Sequence, residues 1–190
     1  MNTRRRIVYL MRGLPSSGKS HRALRLAGDE GVVLETDRFF CEVGDDGVER
    51  YVYHEARLDD ARAWNFQRFN EALALGRSPI VVDRGNGLND ETRRYARLAR
   101  DRGYEVELAE PDSPWWQDIR VLLKYRPATW PVLEDLAQQL HRRSRLTHRV
   151  PLERILKLMR DWRSDLTIQQ ILDDPPQASS GESARLAPPS

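Results

Sequence analysis

Short apolar runs alternate with longer amphipathic stretches along this chain, and that alternation predicts an α/β fold. Ile7–Met11 is a continuous apolar run rich in β-formers and reads as a buried strand. A helix is predicted over Lys19–Ala27, stopped near Gly28, and Val32-Val33-Leu34 predicts a second strand. From Glu55 to about Leu75, Leu58, Ala61, Trp64, Phe66, Phe69 and Leu73 recur at helical spacing, and Gly76 closes the helix. Ile80-Val81-Val82 predicts a third strand, introduced by Pro79. Asp90–Arg102 reads as a helix closed by Gly103, and Tyr104–Leu108 alternates as a strand does. Two helices are then expected, about Pro114–Leu123 and Pro131–Arg143, with Lys124–Trp130 as a loop around Pro127. Pro151–Trp162 starts with proline in a first helical turn, and a short helix is expected over Thr167–Leu172.

Strands alternating with helices imply a parallel sheet. The pattern predicts one domain over residues 1–173, with a helical lid at about 124–150. From Pro175 onward the chain is rich in Pro, Ser and Ala, so residues 174–190 are expected to form a disordered tail.

The turn between the first strand and the first helix carries the chemistry. Gly13-Leu14-Pro15-Ser16-Ser17-Gly18-Lys19-Ser20 fits G-x-x-x-x-G-K-[ST], and it follows a strand and opens a helix. Glycines allow a tight turn whose successive N–H groups converge on phosphate oxygens at the positive end of the helix. Gly13, Pro15, Ser16, Ser17, Gly18, Lys19, Ser20 and the following His21 are the expected nucleotide-binding residues. Lys19 would reach the β- and γ-phosphates, and the Ser20 hydroxyl would ligate Mg²⁺. The cofactors expected are ATP or GTP and Mg²⁺.

Two carboxylates follow the second and third strands. Open parallel sheets bind ligands at the carboxyl ends of their strands. Asp37 there is either a general base for an acceptor hydroxyl or a helix N-cap. Asp83 ends an apolar run, the shape of a Walker B metal-binding carboxylate, or else it is a turn residue before Arg84-Gly85-Asn86-Gly87. Asn86 in that turn is a candidate contact to phosphate or acceptor. Arg142, Arg143, Arg145 and Arg149, with His141 and His148 among them, form a basic cluster. It suits a mobile lid that stabilises transferring charge, a contact to nucleic-acid phosphates, or a solvated helix end.

Charge balance adds a mild constraint. The formal net charge is only +2, so the field of the whole molecule does not favour long nucleic-acid tracts, though short ends are not excluded. Cys41 is the one cysteine, so no intramolecular disulfide forms, as in a reducing compartment. The apolar run after Arg4-Arg5-Arg6 is too short for a signal peptide, and nothing resembles a membrane span. A cytoplasmic protein is expected.

Several segments together resemble the polynucleotide 5′-kinase-like family of P-loop kinases. They are Met11–Ser20, Thr36-Asp37-Arg38-Phe39-Phe40, Trp64-Asn65 with Arg68, Val81–Asn86, Gly103–Val106 with Glu110-Pro111 and Pro114-Trp115, Arg142-Arg143-Ser144 and His148–Pro151. The likeness runs from about residue 7 to 162. It implies a three-layer P-loop kinase fold with an arginine-bearing helical lid. It also implies Asp37 as the base that activates a 5′-hydroxyl, Lys19 and Ser20 as phosphate and Mg²⁺ ligands, and Arg142 and Arg143 as lid arginines. Arg38 replaces the family's second Asp and, with Asn86, is the candidate acceptor contact. Arg84-Gly85 replaces Asn-Thr, Ser144 replaces Asn, and Arg149 replaces Gly. The donor side is kept and the acceptor side altered. The expected function is γ-phosphoryl transfer from ATP or GTP to a hydroxyl, most simply the 5′-OH of a polynucleotide. The alternatives are a kinase for a nucleoside, sugar or antibiotic, and a nucleotide-dependent binding module.

Overall fold

A computed structural model describes residues 5–84, 90–144 and 150–173. Four parallel strands form the central sheet: β1 (Ile7–Met11), β2 (Val32–Glu35), β5 (Ile80–Asp83) and β6 (Glu105–Ala109), in the order β2-β5-β1-β6. The registers Val8↔Ile80, Val32↔Ile80 and Val8↔Val106 put all four carboxyl ends on one edge.

The strands are short apolar runs because both faces are covered. Tyr9, Met11, Val33 and Val81 pack with Ala23 and Ala27 of α1 (Lys19–Ala27). Val8, Leu10, Leu34, Ile80 and Val82 pack with Phe69 and Leu73 of α2 (Leu58–Ala74) and with Tyr95, Ala96 and Ala99 of α3 (Asp90–Asp101). That alternation makes three layers. α7 (Ile168–Asp173) joins the second face through Ile168 and Leu172.

A second core lies among α4 (Pro114–Lys124), α5 (Arg126–Ser144) and α6 (Leu152–Arg160), built from Trp116, Ile119, Leu133, Leu136, Leu140, Ile155, Met159 and Trp162. Leu14, inside the phosphate-loop motif, is fully buried in this helical core. The loop is therefore clamped between the two cores.

Two departures from the sequence expectation concern local structure. Lys124–Trp130 is not a loop, since α5 begins at Arg126 and runs through Pro131. A proline there removes one bond near the helix start. Tertiary contacts hold that first turn instead: Thr129 Oγ1 donates to Leu122 O at 2.7 Å and Arg126 Nη1 to Trp162 O at 2.8 Å. Residues 126–144 of the expected lid are thus a helix packed into the second core, and 145–149 lie outside the described residues. After β2, a 3-10 turn (Thr36–Phe40) leads into an antiparallel hairpin, β3 (Cys41–Val43) with β4 (Glu49–Tyr51), for which the apolar pattern gave no signal. The expected tail at 174–190 also lies outside the described residues.

Candidate active site

The phosphate loop leaves β1 and enters α1 through two left-handed residues, Ser16 (φ 57°) and Gly18 (φ 94°). Left-handed turns within such a short segment aim N–H groups into one concavity, the form of an anion nest. Gly13 is required by space. A Cβ there would lie 2.8 Å from Ser17 Oγ, 3.0 Å from Lys19 Cγ and 3.2 Å from Pro111 Cδ. Ser17 is buried, and its hydroxyl has no hydrogen-bond partner among the described residues. A buried unsatisfied hydroxyl is costly and suits a phosphate oxygen as partner.

The Lys19 ammonium is held over the loop, donating to Leu14 O at 2.9 Å and Gly13 O at 3.1 Å. Lysine has three donors, so a third can serve a phosphate. Burial pushes its proton affinity down, and the charges of Asp83 and then Asp37 oppose that push. Strand parity explains Asp83: Val82 faces α2 and α3, Val81 faces α1, and Asp83 returns to the α1 side, where Lys19 begins the helix. Asp83 is buried. Glu35 is its register partner on β2, and Asp37 follows in the exposed 3-10 turn.

Ser20 and His21 lie exposed in the first turn of α1. His21 and Arg25 line a cleft of about 440 Å³ with Ser17, Gly18 and the β6–α4 connection Pro111–Pro114. Asp112 on its rim pairs with Arg22 at 2.9 Å and with Arg25. Arg142 and Arg143 stand exposed on the last turn of α5. The Arg143 guanidinium covers the ring of Trp115, 4.9 Å from its centroid, next to the same connection. Arg38 is exposed and pairs with Glu49 of the hairpin at 3.3 Å. Asn86, Arg145, His148 and Arg149 lie outside the described residues.

One neighbour of the loop carried no signal in the pattern. Arg12 is 2% exposed, between β1 and Gly13. Its guanidinium stacks on Trp162 at 4.0 Å, donates through Nη2 to Arg163 O at 2.6 Å, and faces Glu110 at 3.4 Å. Glu110 in turn accepts from Trp116 Nε1 at 3.0 Å and pairs with Arg120 at 2.9 Å. Arg12 thus ties the loop entry to β6, α4 and the end of α6.

The model of an AAA domain family (AAA_33) matches residues 8–164, most of the chain. The chain belongs to this AAA domain family. It is a P-loop nucleotide-binding domain with the fold of P-loop kinases, which agrees with the expected three-layer α/β class. The AAA domain here is 31% identical over 168 residues to NEDD4-binding protein 2 of Homo sapiens, covering 87% of this chain and 8% of that protein. It is 32% identical over 128 residues to YLP motif-containing protein 1 of Rattus norvegicus, covering 55% of this chain and 9% of that protein. The chain therefore spans less than a tenth of the length of these curated relatives. Among the described residues, no helix is long and apolar enough to cross a membrane, and no cluster of three or more His, Cys, Asp or Glu suits a metal ion. A Mg²⁺ site with few protein ligands is compatible with that, because the ion keeps waters and phosphates as ligands.

Proposed function

We propose that this AAA domain is a kinase that moves the γ-phosphoryl group of ATP or GTP to a hydroxyl, with the 5′-OH of a polynucleotide as the favoured acceptor. The observation that carries the reading is that the phosphate loop with Lys19, the end of β5 with Asp83 and the turn after β2 with Asp37 all lie at the carboxyl edge of one parallel sheet. A loop that only binds nucleotide has no need of a second, exposed carboxylate at the same edge of the sheet.

The roles follow from position. The Ser16–Gly18 turn and the Ser17 hydroxyl cradle the phosphates. Lys19 holds the transferring group. Ser20 and Asp83 are the residues that would hold Mg²⁺, which supplies neutralising charge to the phosphates. Asp37 accepts the proton of the acceptor hydroxyl as its oxygen bonds to the γ-phosphorus and the bond from that phosphorus to the β,γ-bridging oxygen breaks. Arg143, beside Trp115, is placed to balance charge on the equatorial oxygens. The ordered motifs that resemble the polynucleotide 5′-kinase-like family favour a nucleic-acid end over a sugar or antibiotic.

The test is label transfer from γ-labelled ATP with Mg²⁺ to a panel of 5′-OH RNA and DNA oligonucleotides, nucleosides and sugars. Transfer to the oligonucleotides is expected. Asp37→Asn should remove transfer by at least about 100-fold, the scale of general-base catalysis, while ATP affinity stays within about twofold. Lys19→Ala should damage both. ATP binding without transfer to any acceptor would replace this reading with a nucleotide-dependent binding module.

A further inference from the structure

The hairpin that follows Asp37 is built around aromatic rings. The 3-10 turn carrying Asp37 ends in Phe39 and Phe40, and Val52 N donates to Phe40 O at 2.8 Å, which pins the far strand of the hairpin beside the base. Tyr51 pairs in register with Cys41. Phe40 is buried, and both tyrosines pack on it: Tyr53 at 5.0 Å and Tyr51 at 6.1 Å between ring centroids. The Tyr51 and Tyr53 rings are nearly parallel, 15° apart, at 6.5 Å. Desolvation, with a smaller contribution from the Asp37 charge, pushes the Tyr51 phenol's proton affinity up.

Tyr53 differs from its neighbours in being 48% exposed. A half-exposed ring braced by two other rings can offer aromatic surface to a planar ligand. Cationic groups flank the same turn. Arg57 covers Phe39 at 4.7 Å, and Arg68 covers Trp64 at 4.4 Å. Arg68 Nη1 is buried without a hydrogen-bond partner among the described residues; burial first and then the charge of Arg38 push its proton affinity down, against Glu35 and Glu71. A planar base with a phosphodiester attached satisfies both kinds of group at once.

We propose that Tyr53, backed by Phe40 and Tyr51, is a stacking platform for the base of the nucleotide whose hydroxyl Asp37 activates, on the single-stranded end of a nucleic acid. The proposal rests on the kinase reading above and adds a residue that sets its acceptor. Stacking on an aromatic side chain tolerates any base, so it selects for a base without selecting a sequence.

The full 190-residue chain is assayed with a 5′-OH hexanucleotide and with the same hexanucleotide carrying an abasic 5′-terminal residue. Transfer from labelled ATP gives KM and kcat, and anisotropy of a 3′-dye gives binding. The wild type should prefer the base-bearing acceptor about tenfold, the scale of one stacked base. Tyr53→Ala should raise its KM about tenfold and abolish the preference, with the KM for ATP unmoved. Tyr53→Phe should restore the preference, since the ring and not the hydroxyl stacks. Equal losses on both acceptors, or an unchanged KM in Tyr53→Ala, overturn the platform and leave the kinase intact. Base-dependent binding that needs Tyr53 but leads to no transfer overturns the kinase and keeps the platform. A hexanucleotide that neither binds nor is phosphorylated overturns both.

Discussion

Replacing Arg12 with methionine tests how the phosphate loop is held. The substitution keeps the volume of the side-chain stem and removes the guanidinium. It deletes a desolvated cation–π contact with Trp162 at 4.0 Å, worth about 2 kcal/mol. It also deletes a charge-assisted hydrogen bond to Arg163 O at 2.6 Å, worth about 1.5–3 kcal/mol. Two terms offset that loss. Burial is the main influence on Arg12 and pushes its proton affinity down, against the pull of Glu110. A guanidinium does not give up its proton in the working range, so this burial is felt as a cost to folding that methionine relieves. Glu110 also keeps Arg120 at 2.9 Å, so its charge is not stranded. The net expectation sits at the low end of the range for breaking a buried pair, about 3 kcal/mol. For a domain of this size that lowers Tm by about 6–12 °C. The assay is thermal and urea unfolding, with ATP titration at a temperature where both proteins are folded. Since Leu14 lies in the same helical core as Trp162, ATP affinity should fall about tenfold as well. A cycle with Trp162→Leu should show a coupling of about 1–2 kcal/mol. A Tm change under about 2 °C, or strictly additive losses in the cycle, would refute the picture of Arg12 as the tie between loop and helices.

Two further predictions follow from single contacts. Gly13→Ala forces a Cβ to within 2.8 Å of Ser17 Oγ and 3.0 Å of Lys19 Cγ, so stability should drop by about 2 kcal/mol and ATP affinity at least tenfold, read by urea melts and calorimetry. Asp112 should titrate below the ordinary value of 3.8, chiefly because Arg25 bonds its charged form, with Arg22 adding to the effect. The folded carboxyl is the stronger acid, so the pair's stabilisation is present above the unfolded pKa and fades as pH falls through the folded one. Carboxyl NMR should show the low midpoint, and Arg25→Ala should move it back toward the ordinary value. An unmoved midpoint would show that Arg25 is not the cause.

Much of this molecule was determined by the sequence alone, because its signals are local. A buried parallel strand must be a short apolar run, and a glycine-rich turn between strand and helix has one common use. Ile7–Met11, Lys19–Ala27 and the loop between them therefore came out at the observed boundaries. Asp83 was legible for the same reason, at the end of an apolar strand. Other features were decided by tertiary structure. The start of α5 carries Pro127 in its first turn and Pro131 in its second and reads as a breaker; contacts to Leu122 and Trp162, distant in the chain or out of its pattern, make it helix. The hairpin at Cys41–Tyr51 has strands of three residues, too short for periodicity to register, and it is held by Phe40 and its tyrosines. Arg12 follows directly on the apolar run Ile7–Met11, and nothing in that pattern marks it for burial. Its burial exists only because Trp162, Arg163 and Glu110 arrive from other elements to solvate it. Local rules write the nucleotide-binding loop into consecutive residues. The wall beside Asp37 and the tie beneath the loop are made by side chains that meet only once the chain has folded.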